Sequence, residues 1–437
     1  MRIIHTSDWH LGQHFYGKSR APEHQQFLNW LIEQSQSQQI DAIIVAGDIF
    51  DTGTPPSYAR EMYFDFIAKL HQANCQLVVL AGNHDSVAML SESQNLLQQL
   101  STRVISAVSD NMAEQVFVLN SLKTEQQAVI CAIPFIRPRD IVKSYAGQSA
   151  SEKQRSLQQA ITGHYQTLFS QAQTLSVENQ AEDTRLSIIA TGHLTTIGAS
   201  LSESVRDIYI GTLEAFPASE FPAADYIALG HIHRPQKVTK SEHIRYSGSP
   251  IALSFDEAKT EKSIVIAEFK NGELSDVELC PVPCFQALAM VKTQLETLTD
   301  NIMAVVEANH SERKENIWLD IEIESAEYLQ DLSVRIEQII AELPVEVLLV
   351  RRSKKSRLEM PSHEKKITLS ELSVQDVFDA RMELESWQSD EQQQRRTRLN
   401  SLYLDIAEQT QLASSAAHSP ELNSIIDNSS DTKTEQK

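Results

Sequence analysis

Ile43-Ile44-Val45-Ala46-Gly47-Asp48 is an apolar run that stops at a glycine and hands the chain to a carboxylate. A short run rich in β-branched residues reads as a buried strand. The glycine permits a sharp turn and close backbone approach, and the next residue lands at the sheet's end. The same grammar recurs along the chain. Val78-Val79-Leu80-Ala81-Gly82 delivers Asn83, His84 and Asp85, and Ile188-Ile189-Ala190-Thr191-Gly192 delivers His193. Ile227-Ala228-Leu229-Gly230 delivers His231 and, two residues on, His233, while a fifth run, Arg2 to His5, leads to Asp8 and His10. Any one of these His or Asp residues, taken alone, reads as a surface or capping residue. Five such deliveries in one chain are hard to produce by chance.

Asp8, His10, Asp48, Asn83, His193, His231 and His233 offer hard oxygen and borderline nitrogen donors without thiolate, a set that suits Mn²⁺, Fe or Zn²⁺ better than Ca²⁺. They exceed what one catalytic ion takes. The count fits two divalent metal ions bridged by a shared carboxylate, the arrangement that serves in-line displacement at phosphorus. Cys75, Cys131, Cys280 and Cys284 are scattered, with no second pair to complete a zinc tetrad, and read as reduced structural thiols.

Around these strands, His24–Gln36 and Tyr58–His71 carry apolar residues near helical spacing, and Lys143–Thr184 reads as a helix plus a long loop. Near Cys280-Pro281-Val282-Pro283 the pattern changes to helix (Phe285–Leu298), strand (Ile317–Ile323), helix (Ala326–Leu343) and strand (Val345–Val350), a second, small α+β unit. A basic run follows, Arg351, Arg352, Lys354, Lys355 and Arg357, which reads as a solvated linker or as the wall of a DNA channel. Ser370–Gln411 shows amphipathic helical faces, and the last 25 residues, from Ala413, have almost nothing to bury. The 437 residues imply two or three domains. The formal charge of −21 argues against gripping nucleic acid by bulk electrostatics, so a phosphate-bearing substrate needs local cations. No apolar run approaches the roughly 20 residues that span a bilayer, and the start lacks a secretory apolar region. The reading is cytoplasmic.

Asp8-Trp9-His10, Gly47-Asp48-Ile49-Phe50-Asp51, Gly82-Asn83-His84-Asp85, Gly192-His193 and Gly230-His231-Ile232-His233 together resemble the calcineurin-like metallophosphoesterase superfamily. Thr6 to Gly12, Pro134 to Arg139, Gly248-Ser249-Pro250 and Leu253-Ser254-Phe255-Asp256-Glu257 narrow the resemblance to its nuclease subunits that act with an SMC-like coiled-coil ATPase. The resemblance covers nearly all of residues 1–410. It implies an α/β (α+β) fold: a β-sandwich metallophosphoesterase core flanked by helices (1–278), a small α+β capping domain (279–352), a basic linker with C-terminal helices that dock the ATPase (353–412), and a disordered tail (413–437).

The resemblance also implies roles. One ion would be held by Asp8, His10, Asp48 and His233, the other by Asp48, Asn83, His193 and His231, with Mn²⁺ as the metal. His84 would be the catalytic histidine, a general acid toward the leaving oxygen or a donor to the charge on the phosphate. Asp85 would orient it, or instead support the metal ligands from behind or cap a helix. His14, Tyr16, Lys18 and Arg20, on the loop after the first ligand pair, would contact DNA at the rim, or form a plain solvated loop. Arg137 and Arg139, between prolines, read as structural clamps. The implied activity is ATP-gated hydrolysis of DNA at duplex ends, single strands and hairpins, by a homodimer within a larger assembly. Two rivals stand beside it: a small-molecule phosphodiesterase with the same ions, and an inactive scaffold that binds partners.

Overall fold

The computed structural model describes residues 1–142, 149–180, 184–205, 208, 215–238, 240, 242–309, 316–324 and 332–352, with a few positions between 382 and 402, and the statements below concern those residues. The chain divides into two compact units, Met1–Arg357 and Leu358–Lys437.

The first unit is built on two six-stranded sheets. In chain order the strands are β1 (Arg2–Thr6), β2 (His14–Phe15), β3 (Lys18–Ser19), β4 (Ala42–Ala46), β5 (Gln76–Leu80), β6 (Thr102–Ile105), β7 (Val116–Asn120), β8 (Gln127–Cys131), β9 (Ser187–His193), β10 (Tyr226–Gly230), β11 (Gln236–Lys237), β12 (Ile244–Tyr246), β13 (Ser263–Lys270) and β14 (Glu273–Pro281). One sheet runs β14-β13-β1-β4-β5-β6 and the other β11-β12-β10-β9-β8-β7, while β2 and β3 form a separate hairpin. Strands β1, β4, β5 and β6 are mutually parallel, as are β8, β9, β10 and β12. Their carboxyl ends are where an α/β sheet presents its ligands.

The central strands are mostly apolar and almost wholly buried because both of their faces are covered. Ile43 and Val45 of β4 point into a core shared with the helices Ala21–Ser37 and Ser57–Gln72, whereas Ala42, Ile44 and Ala46 point into the layer between the sheets. In the second sheet, Val129, Ile188 and Ile227 face the helix Ala150–Glu178, while Ala128, Ile189 and Ala228 face the first sheet. That helix begins in a capping box between Ser149 and Glu152. Truncating Ile44 between the sheets would cost about 2–5 kcal/mol. The expected helix-flanked sandwich is the one observed.

β14 pairs with β13 along its length, carrying the sheet to Pro281. Beyond it lies a three-stranded parallel sheet, β15 (Leu288–Thr293), β16 (Ile317–Ile323) and β17 (Val345–Arg352), with the helices Leu298–Ala308 and Leu332–Ile340. The helix expected over Phe285–Leu298 is therefore corrected. Leu288, Val291, Leu295 and Leu298 are spaced like a helical face, but parallel pairing with β16 recruits the first half as a strand. Tertiary pairing overrides short-range periodicity here. Arg351, the first cation of the basic run, is tied to the buried Asp320 of β16. Lys354, Lys355 and Arg357 lie outside the described residues.

In the second unit, Gln392–Gln393 and Arg395–Leu399 are helical. Leu372, Val377, Phe378, Leu384, Trp387, Tyr403, Ile406 and the tail from 413 lie outside the described residues. Among those described, no helix is long and apolar enough to cross a membrane.

Candidate active site and metal centre

The five delivery loops meet at one place. Loop 6–11 lies along loop 47–51 through backbone hydrogen bonds from Asp8 to Gly47, His10 to Asp48 and Leu11 to Ile49, at 3.0, 3.1 and 2.9 Å. Asp8, His10 and Asp48 all take left-handed backbone, with φ of 54, 49 and 52°. Such conformations cost on the order of 1–3 kcal/mol each and persist where the surroundings over-determine them. Trp9 supplies part of that constraint. Between Asp8 and His10 its side chain turns the other way, fully buried, its indole edge-on to Phe27 and Phe66 and its Nε1–H donated to Thr6.

Asp8, His10 and His233 form one group of donor atoms lying within 4.8 Å of one another, and Asp48, His193 and His231 form another. A third joins His10, Asp48 and His84. Asp48 lies between, with Oδ2 3.3 Å from His193 Nε2 and 3.7 Å from His10 Nε2, and Oδ1 accepting the His84 backbone N–H at 2.8 Å. Asn83 joins through Oδ1, 3.0 Å from His193 Nε2 and 3.1 Å from His231 Nδ1. His193 Nδ1–H donates to the Ala46 carbonyl at 2.8 Å, which turns Nε2 toward Asp48 and Asn83.

These residues fit divalent ions. Asp8 and Asp48 are buried carboxylates, and neither ring nitrogen of the buried His10, nor Nε2 of His231, makes a well-aligned hydrogen bond. A buried polar group without a good hydrogen bond costs about 1–3 kcal/mol, and a divalent ion would satisfy these nitrogens. Burial opposes charge on His193, but Asp48 outweighs it and moves the imidazole up to about 9. Burial likewise opposes ionisation of Asp48, yet the surrounding histidines hold its carboxyl well below the usual range. The site is organised around anionic charge that wants a cation.

His84 is half-buried, edge-on to His10 with ring centroids 4.7 Å apart, and its Nδ1 lies 2.7 Å from the Asp51 carbonyl. Of the roles open to Asp85, the described bonds favour support of the ligand loops from behind. Its buried carboxylate accepts backbone N–H groups of Gly82, Ile49 and Phe50 at 2.8, 3.1 and 3.0 Å, stitching loop 82–85 to loop 47–51. Burial and the nearby Asp48 charge push it up to about 6 against those three bonds. The helix Val87–Glu92 is capped by Ser86, and the Asp51 carbonyl is among the partners of the His84 ring.

The rim residues divide. His14 and Tyr16 are exposed, and Lys18 pairs with Glu346 of β17. Arg20 is buried, with its guanidinium on Glu23 at 2.5 Å and on the Ala252 carbonyl at 2.9 Å, near the rings of Phe15 and Trp318. A side chain so enclosed has no face left for DNA, and the expectation for Arg20 is corrected to a structural clamp. Arg137 donates to the Asp85 carbonyl at 3.2 Å, and Arg139 is exposed.

Sequence reasoning passed over two contributors. Asp51, inside the quoted G-D-x-x-D motif, approaches His10 Nδ1 to 3.2 Å and turns its carbonyl to His84. Ser7 donates to Asp8 at 2.6 Å, and its position beside the ligand was the only signal.

Comparison with known proteins agrees with this geometry. Calcineurin-like phosphoesterase matches residues 1–235, and the domain described as the type 5 capsule protein repressor C-terminal domain matches residues 284–386. The chain is 52% identical over 396 residues to the D subunit of the nuclease SbcCD from Escherichia coli K12, covering 91% of this chain and 96% of that one. It is 32% identical to the protein of that name from Bacillus subtilis (75% and 80% covered) and 33% identical to that from Rhodobacter capsulatus (62% and 67%). Matches that run through the C-terminal region do not favour a small-molecule phosphodiesterase. The chain belongs to the calcineurin-like phosphoesterase family and, within it, to the D subunits of SbcCD nucleases.

Proposed function

We propose that the chain hydrolyses DNA phosphodiester bonds, cutting duplex ends as an exonuclease and single strands and hairpins as an endonuclease. The convergence of seven donor residues and His84 at the joined strand ends carries the reading. One ion would be held by Asp8, His10, Asp48 and His233 and the other by Asp48, Asn83, His193 and His231, with Mn²⁺, one of the ions the donor set suits, as the metal that the family resemblance implies. Such ions acidify water and neutralise charge at the phosphate. The chain's own residues do the rest. His84 holds a proton at Nε2 for the leaving oxygen, its ring steadied by the Asp51 carbonyl, and proton donation of this kind contributes roughly 10²–10⁴-fold. Asp85 keeps the His84 loop in register with Asp48.

His14, Tyr16 and Lys18 are the rim groups left for DNA. The name of the relatives supports SbcC, the SMC-like ATPase, as partner, with residues 353–412 as its docking segment beside a core of 1–278, a cap of 279–352 and a tail of 413–437. A cytoplasmic homodimer within that assembly completes the proposal. The test is cleavage of a hairpin-ended duplex with Mn²⁺, with and without SbcC and ATP, for the wild type, His84→Ala and Asp48→Ala. Cleavage that needs both residues and rises with SbcC and ATP supports the reading. Turnover of only a small phosphodiester refutes it.

A further inference from the structure

Glu257 closes the Leu253–Glu257 motif, yet it lies in neither group of converging donors. It is fully buried, and Lys262 is nearly so. Glu257 Oε2 accepts Lys262 Nζ at 2.6 Å and the Leu253 N–H at 3.0 Å, while Oε1 accepts the Ser204 hydroxyl. The same Ser204 Oγ lies 2.6 Å from His233 Nδ1. A hydroxyl has one proton, and an ionised carboxylate can only accept. Ser204 therefore gives its proton to Glu257 and faces His233 with a lone pair, so Nδ1 carries the imidazole hydrogen and Nε2 keeps its lone pair.

Lys262 completes the grip. Besides Glu257 it donates to Ser249 Oγ at 2.8 Å and to the carbonyl of His233 itself at 2.9 Å. One buried ion pair thus holds His233 by its ring, through Ser204, and by its backbone. Buried pairs are poor sources of stability, since desolvation offsets most of the attraction. A pair in which each member also reaches the same candidate ligand, Glu257 through Ser204 to the ring and Lys262 at the carbonyl, points to positioning.

We propose that Glu257 and Lys262, acting through Ser204 and the His233 carbonyl, are positioning residues that fix the tautomer and angle of His233 and so set the divalent-ion affinity of the Asp8, His10 and His233 position. This rests on the two-metal reading above. Partners of this kind govern metal affinity by roughly 10–100-fold.

The experiment is a Mn²⁺ titration of the full chain, reading free Mn²⁺ by electron paramagnetic resonance. It uses the wild type, Ser204→Ala, Ser204→Thr and the paired Glu257→Gln/Lys262→Met variant. The expected result is two bound Mn²⁺ in the wild type, with one of them weakened about 10–100-fold in Ser204→Ala, the other unchanged, and recovery in Ser204→Thr. Ser204 is half-buried and carries no charge, so its alanine variant decides the matter even where the paired variant does not fold. Wild-type affinity at both positions in Ser204→Ala, or equal weakening of both, overturns the proposal. A wild type that binds a single Mn²⁺ overturns the two-metal reading itself, and this proposal with it.

Discussion

Both carboxylate oxygens of Asp8 accept the backbone N–H of His231, at 3.0 and 3.1 Å, across 223 positions of sequence. Asp8 belongs to the loop after β1 of one sheet and His231 to the loop after β10 of the other. The bond makes sheet packing and ligand placement a single event. The His193 to Ala46 bond does the same from the other side.

His84→Ala should lower Mn²⁺-dependent DNA cleavage by roughly 10²–10⁴-fold. On a p-nitrophenyl phosphodiester, whose leaving group needs no proton, most of that loss should vanish. Comparing kcat on the two substrates checks it. Equal loss on both would place His84 at the phosphate charge instead of the leaving oxygen.

Arg20 and Lys18 should part company. Arg20→Ala strands the buried Glu23 and should cost about 3–5 kcal/mol by urea midpoint. Lys18→Ala breaks only a partly exposed pair and should cost under about 1 kcal/mol. Lys18→Glu should weaken DNA binding by fluorescence anisotropy with little effect on a small phosphodiester.

Gly230→Ala should not be tolerated. A Cβ there would sit 1.9 Å from the Ala46 carbonyl oxygen of the other sheet, and backbone cannot step aside as a side chain can. Loss of about 4 kcal/mol or more, or failure to accumulate as folded protein, is the expected outcome. A near-normal melting temperature would contradict the described contact.

Stability should fall with acid for a reason outside the metal site. His5 is buried between the sheets, with Nε2 3.1 Å from the Leu229 carbonyl and Nδ1 2.9 Å from the Tyr226 hydroxyl, and burial pushes it down to about 3. Between pH 6.5 and 3 the unfolded chain binds the proton and the folded chain does not, so stability drops by about 1.4 kcal/mol per pH unit as pH falls. His24, also pushed down to about 3 by burial, adds a like amount. Urea midpoints from pH 6 to 4 should show the slope, and His5→Gln should remove the first contribution while leaving the second.

The donor-delivering strands β1, β4, β5, β9 and β10 and the residues that follow them are legible in the sequence, because a strand covered on both faces is mostly apolar and a close-approach turn favours glycine, whereas the interior strands β12 and β13 deliver no donor and are not read as strands. At Gly47 the structure supplies both reasons, a φ of +96° and a Cβ that would meet His193 Nδ1 at 2.2 Å. The edge strands β6, β7 and β14 are less legible, and β14 is exposed along much of its length. β15 looked helical because periodicity over a few residues does not know which strand lies alongside.

Residue type and spacing already name the side chains available for chemistry and put them at strand ends. Their duties come from long-range packing. Burial took Arg20 from the DNA rim and made it a clamp, three backbone amides claimed the Asp85 carboxylate for its loop, and the buried Glu257–Lys262 pair holds His233 by its ring, through Ser204, and by its carbonyl. Residue type limits what a group can donate or accept. Which partner it meets is fixed by long-range packing, where burial makes every polar group's partner obligatory and so selects one arrangement.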